Sequence, residues 1–204
     1  NGSNEILELA ARAFLNPGSS AVASCHAFVV YKIVTQSSGA TLIEVPTIDW
    51  GHNLEAFPAN IRDDTKVIFI ANPNNPTGTY NSHQEVHCLL KNIPSSILVV
   101  LDCAYFEYVK KSDYVDPLAL LNEFDNLLVT KSFSKIQGLA SARIGYGIGQ
   151  PELIEVLNRI RQPFNVNSFA QELACEAIND KEHIKKSIDL NLAEGTFLFA
   201  ELTQ

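Results

Sequence analysis

Five short segments of this 204-residue chain carry the side chains able to do chemistry, and four of them follow an apolar run. The richest spans Thr130 to Tyr146, Thr-Lys-Ser-Phe-Ser-Lys-Ile-Gln-Gly-Leu-Ala-Ser-Ala-Arg-Ile-Gly-Tyr. Lys135 stands there beside Ile136, Leu139 and Ala140, and a lysine amine held against apolar neighbours can condense with an aldehyde to an imine. The hydroxyls of Ser132 and Ser134 and the guanidinium of Arg143 are what a phosphate dianion calls for. A solvated loop with casual charges is the plainer alternative, and the apolar flanks argue against it.

The other four segments are open to two readings each. Asp102-Cys103-Ala104-Tyr105 follows Ile97–Leu101. A carboxylate in so apolar a place needs a cation, and a protonated pyridine nitrogen would serve; a helix N-cap Asp explains it equally well. Ala71-Asn72-Pro73-Asn74-Asn75-Pro76-Thr77-Gly78 follows Val67–Ile70. Its prolines and glycine fix a rigid turn, and three asparagines exceed what a turn needs, which points to an amide aimed at a ligand. Asn1-Gly2-Ser3-Asn4-Glu5 opens the first helix, where capping accounts for the residues and the exposed N–H groups also form an anion site. Phe28, in His26-Ala27-Phe28, follows Ala21–Cys25; it could stack on a flat ring, but packing physics favours the core.

Positioning these segments falls to alternating elements. Ala21–Cys25, Thr41–Val45, Val67–Ile70, Ile97–Leu101, Leu127–Thr130 and Ile144–Ile148 read as buried strands of a parallel sheet. Helical patterns cover Glu5–Leu15, Phe28–Gln36, Ser82–Lys91, Pro117–Phe124, Pro151–Arg161, Ser168–Asn179 and Lys181–Leu202. The alternation predicts an α/β chain, a three-layer αβα sandwich around a mostly parallel sheet. Ligands of such sheets sit beyond the carboxyl ends of the strands, where the candidate loops fall.

Composition removes other classes. A formal charge of −8 and a pI near 5.1, with basic residues scattered, leave no nucleic-acid surface. No apolar run is long enough to span a membrane and no leader pattern opens the chain, so a soluble, cytoplasmic protein is expected. Cys25, Cys88, Cys103 and Cys175 lie far apart and read as reduced thiols. His83 and His87 share a helix face without a third ligand, so no metal is expected and solvated histidines are. The absence of Met, a start in a helix cap and a stop inside a helical pattern read as a piece of a longer protein.

In this order and spacing the five segments resemble fold-type I pyridoxal 5′-phosphate (PLP) enzymes, and among them the histidinol-phosphate aminotransferase family. Asn-Gly-Ser-Asn-Glu, Ala-Asn-Pro-Asn-Asn-Pro-Thr-Gly, Asp-x-Ala-Tyr, Ser-Lys-x-x-Gly-Leu-Ala-x-x-Arg-Ile-Gly-Tyr and the stretch Asn158–Asn167 carry the likeness across the whole chain. The resemblance implies that Lys135 holds PLP covalently and then acts as the base on the substrate α-carbon. It implies that Asp102 pairs with the pyridine nitrogen, that Asn75 and Tyr105 hydrogen-bond the ring oxygen, and that Phe28 stacks on the ring. Ser132, Ser134 and Arg143, with the backbone of Ser3 and Asn4, would bind the cofactor phosphate. Lys135, Asp102 and Tyr105 are thus the expected catalytic set.

The implied reaction is ping-pong transfer of an amino group between L-histidinol phosphate and 2-oxoglutarate by a homodimer. Some positions depart from the family: Cys103 stands where Glu is common, Ser141-Ala142 where Gly-Leu is, and His26-Ala27-Phe28 where Pro-Thr-Tyr is. Residues 1–204 would form the PLP-binding large domain, without a counterpart of the small domain or of the N-terminal segment that reaches the neighbouring subunit. An aromatic-amino-acid aminotransferase and a phospho-amino-acid decarboxylase share these motifs. A PLP-sensing regulatory module is a rival of a different kind, and a domain that has lost its cofactor conflicts with the intact Asp102, Tyr105, Lys135 and Arg143.

Overall fold

The computed structural model describes residues 1–203. Six strands, β1 (Ser20–Ser24), β2 (Thr41–Val45), β3 (Thr65–Ala71), β4 (Leu98–Asp102), β5 (Leu127–Ser132) and β6 (Gly145–Ile148), form one sheet in the order β2-β1-β3-β4-β5-β6. The first five are parallel and β6 runs antiparallel on β5. The link from Ser132 to Gly145 contains only a 3₁₀ turn at Ala140–Ala142, too little for the helical crossover that a parallel pairing requires.

Helices α1 (Ser3–Phe14), α2 (Val29–Ser37), α3 (His83–Asn92), α4 (Pro117–Leu120), α5 (Pro151–Ile160), α6 (Ser168–Ala177) and α7 (Lys181–Leu202) complete the chain. Strand alternation sorts α1 to α5 into the two outer layers. Val67, Phe69, Val100 and Leu128 pack with Leu7, Tyr31 and Leu157 of α1, α2 and α5. Ile68, Ile70, Val99 and Leu101 pack with Val86, Leu89 and Leu120 of α3 and α4. This is the expected three-layer αβα sandwich. No helix among the described residues is long and apolar enough to cross a membrane.

Element boundaries differ from the sequence pattern in informative places. Asp102 is the last residue of β4, opposite Ala71 and Thr130, and not the first loop residue. β5 continues through Lys131 and Ser132 because β6 pairs with them, at Tyr146 and Gly145. Phe28 caps α2 from outside the helix. The helix expected over Pro117–Phe124 stops at Leu120, its start held by the Asp116 carboxylate accepting from the Leu118 and Ala119 N–H groups.

Gly145 is where α1 meets the sheet. A Cβ there would lie 2.4 Å from the Ser3 nitrogen and 2.8 Å from the Lys131 carbonyl oxygen, both backbone atoms that cannot yield cheaply. Gly145→Ala is therefore expected to cost about 1–3 kcal/mol, which a thermal melt of the full-length protein would register as a drop of several degrees.

Candidate active site

Loops that follow β3, β4 and β5 line one cleft, and Asp102 is the buried last residue of β4. The residue is 6% exposed. Its carboxylate accepts from the Tyr31 hydroxyl at 3.1 Å, the Thr130 hydroxyl at 3.1 Å and the Ala104 N–H at 3.2 Å. Burial pushes its pKa up, against the lowering effect of these donors and of the Lys135 charge. None of the ion pairs among the described residues includes it. A buried carboxylate with three donors and no cation in contact is a fitting partner for a protonated ring nitrogen.

Tyr31 and Thr130 had no assigned role in the sequence reading. Tyr31 is fully buried in α2, its ring stacked on Phe69 with centroids 5.0 Å apart and planes at 7°. Burial and the neighbouring Asp102 push its hydroxyl pKa well up, so it stays a proton donor. The available signal was a tyrosine three positions after Phe28, on the buried stripe of a helix beside a strand that ends in Asp. Thr130 sits directly across from Asp102 in the parallel register.

Asn75, Tyr105 and Lys135 stand in the loops beyond the strand ends. The Asn75 Nδ2 donates to the Tyr105 hydroxyl at 3.5 Å, and the Lys135 Nζ lies 5.1 Å from the Tyr105 ring centroid. With Tyr108 and Asn191 they line a cleft of about 530 Å³. Lys135 is exposed at its mouth, so the expected apolar enclosure is incomplete: Ile136 is buried, whereas Ala140 is open. Tyr108 and Asn191 were not foreseen, and nothing in their local sequence marks them.

Of the three asparagines, two build the loop. Asn72 donates to the Asn81 carbonyl and accepts from its N–H, both at 2.9 Å. Asn74 donates to the His26 carbonyl and the Thr77 hydroxyl, both at 2.8 Å, while its Oδ1 is buried without a partner. Only Asn75 points its amide across the cleft to Tyr105.

The anion cup is assembled at the other end. Ser132 is buried and its Oγ accepts from the Ser134 N–H at 3.1 Å. Arg143, in the left-handed region at φ 55°, donates to the Ser134 hydroxyl at 3.4 Å, the Ala140 carbonyl at 2.9 Å and the Asn1 carbonyl at 3.5 Å. Gly2 packs against this guanidinium, where a Cβ would come within 2.8 Å of Nη2. The segment does open α1, with Gly2 as its N-cap and no side chain capping it. Ser3 and Asn4 lie in the first turn, where backbone N–H groups have no intrahelical partner and can serve an anion.

Phe28 is half-buried against the core and meets Tyr31 edge-on, centroids 5.8 Å apart and planes at 89°. His83 and His87 are half-buried, not solvated, and the His87 Nε2 contacts the Glu123 carboxylate at 2.9 Å. No group of three His, Cys, Asp or Glu able to hold a metal occurs among the described residues. All four cysteines are free, and only Cys103 is buried. A larger hollow of about 890 Å³, lined by His52, Glu55, Tyr80 and Glu85 among others, holds none of the expected site residues.

The model of one family, "Aminotransferase class I and II", matches residues 1–204. The chain belongs to the class I and II aminotransferases. It is 50% identical, over all of its 204 residues, to histidinol-phosphate aminotransferase 2 of Ralstonia nicotianae, covering 54% of that protein. It is 53% identical over 193 residues to histidinol-phosphate aminotransferase 2 of Pseudomonas fluorescens, covering 95% of this chain and 52% of the relative. The chain thus spans about half the length of the curated relatives it matches. Among solved structures, histidinol-phosphate aminotransferase from Sinorhizobium meliloti in complex with pyridoxal-5′-phosphate superposes with a TM-score of 0.89 at 28% identity, over 95% of this chain and 52% of that one.

Proposed function

We propose that these residues form the PLP-binding large domain of an aminotransferase that moves an amino group between L-histidinol phosphate and 2-oxoglutarate. The observation that carries the chemistry is Asp102, buried and hydrogen-bonded yet in no ion pair, at the end of the strand whose following loop lines a cleft with Lys135. The substrate class rests on the 50% identity, over the entire chain, to a histidinol-phosphate aminotransferase.

In this reading PLP, when bound, supplies an electron sink for the substrate α-carbon. The side chains of this protein do the rest. Asp102 holds a proton on the ring nitrogen, and Tyr31 and Thr130 hold Asp102. Asn75 and Tyr105 donate toward the ring oxygen, and Phe28 borders the ring. Ser132, Ser134, Arg143 and the first turn of α1 take the phosphate. Lys135 would hold the cofactor and would move the proton at the substrate α-carbon.

The remaining reach of the proposal is to the whole protein: a homodimer in the cytoplasm, with a small domain contributing the substrate grip. Support comes from the partial coverage of the relatives and from Leu190, Leu192 and Phe199 of α7, all exposed. Free cysteines fit a reducing compartment.

A side-by-side assay of the full-length enzyme tests the substrate. Its kcat/KM for L-histidinol phosphate should exceed that for phenylalanine and tyrosine by about 100-fold or more, the scale of rejecting a substrate that leaves polar groups unpaired. Equal values would assign the aromatic-amino-acid activity instead.

A further inference from the structure

We propose that the ion pair between Glu107 and Lys131 is the positioning element that sets the Tyr105 hydroxyl over the cofactor ring; this rests on the PLP reading above. Neither residue belongs to the site expected from sequence. Lys131 Nζ lies 2.5 Å from a Glu107 carboxylate oxygen, with the two side chains 13% and 18% exposed. Among the described residues it is the one ion pair with both side chains mostly buried. The same ammonium sits 3.9 Å from the Phe106 ring centroid.

Strand alternation explains the division of labour. Thr130 and Ser132 turn to Asp102 and to the anion cup, so Lys131 must point to the opposite side of β5. There it meets the turn Phe106–Tyr108, which begins directly after Tyr105. Backbone bonds from Phe106 N–H to the Cys103 carbonyl and from Tyr108 N–H to the Tyr105 carbonyl, both 3.1 Å, are local and do not fix the turn against the sheet. The ion pair does. It ties the loop that carries Tyr105 to the strand that leads into Lys135. The 3.5 Å contact of Asn75 with Tyr105 is at the long limit of a hydrogen bond, so a small shift of the turn breaks it.

The sign of a spectroscopic shift separates positioning from charge. A hydroxyl donating to the ring oxygen spreads that oxygen's negative charge and weakens its hold on the protonated nitrogen that joins Lys135 to the cofactor. Losing the donor raises the pH at which this nitrogen deprotonates. Losing the Glu107 charge alone, with Lys131 left unbalanced, stabilises the nitrogen less and lowers that pH.

The experiment is a pH titration of the visible absorbance band of the full-length holoenzyme. Glu107→Gln and Tyr105→Phe are each expected to raise the midpoint by about half a unit or more, and the double variant to move no further than Tyr105→Phe alone. Lys131→Arg, which keeps the pair, should keep the wild-type midpoint. An unchanged or lowered midpoint in Glu107→Gln, or additive shifts in the double variant, overturns the proposal. If Glu107→Gln does not fold, Glu107→Gln/Lys131→Met removes both charges together, a change buried pairs tolerate, and must still raise the midpoint. A wild-type protein with no visible band would instead refute the PLP reading itself.

Discussion

Lys135→Ala is expected to abolish the visible absorbance band of the full-length protein and to reduce transamination on the order of 10⁴-fold or more. Two roles vanish together. In the proposed mechanism the amine at position 135 is the covalent anchor and also the group at the cleft that takes a proton from the substrate α-carbon. Lys131 cannot substitute, because its ammonium is committed to Glu107 on the far side of β5. The fold should survive, since the side chain is exposed and makes no ion pair among the described residues. Circular dichroism and an assay with L-histidinol phosphate read the two halves separately, and a variant that keeps both band and rate would remove Lys135 from the mechanism.

Asp102→Asn should have the next largest effect, and in opposite directions for activity and stability. Asparagine keeps the size and an acceptor for Thr130 or Tyr31 but cannot hold a proton on the ring nitrogen. A loss of about 10²- to 10³-fold in kcat follows, the scale of removing one preorganised electrostatic partner. The empty protein responds otherwise. Burial raises the Asp102 pKa, so between the ordinary carboxylate value and the raised one the folded state holds more protons than the unfolded state. Stability of the cofactor-free protein therefore falls as pH climbs through that window and stays lowered above it. The Asn variant, with no carboxylate to ionise there, should lack this decline and exceed wild type in urea melts near neutral pH. Adding PLP should close the gap in the wild type by giving the carboxylate a cation. Parallel stability curves for both proteins across the window would contradict the assignment.

What could be read from sequence was whatever is local. Val- and Ile-rich runs gave the strands to within one or two residues, and Ser132, Ser134, Lys135 and Arg143 stood out because hydroxyls and cations interrupt apolar sequence. Contacts made through the sheet could not be read. Tyr31 reaches Asp102 across 71 positions of chain, and Thr130 faces it only because the parallel register of β4 and β5 puts it there. That register is set by the packing of crossover helices, which no local pattern encodes. The same holds for Glu107 and Lys131, a pair that only the fold brings together. Which of Asn72, Asn74 and Asn75 faces the cleft was equally illegible. A polar side chain in a turn can serve a ligand or close the turn, and only the partners, Asn81 for one and His26 with Thr77 for the other, distinguish the two.

The central claim is that one lysine of this cleft carries the cofactor. Borohydride reduction of the full-length protein with PLP, followed by proteolysis and mass spectrometry of the peptides, tests it most directly. The pyridoxyl group should appear on the peptide containing Lys135 and be assigned to that residue by fragmentation. Its appearance on Lys131 or another lysine, or its absence from every peptide, would contradict the account.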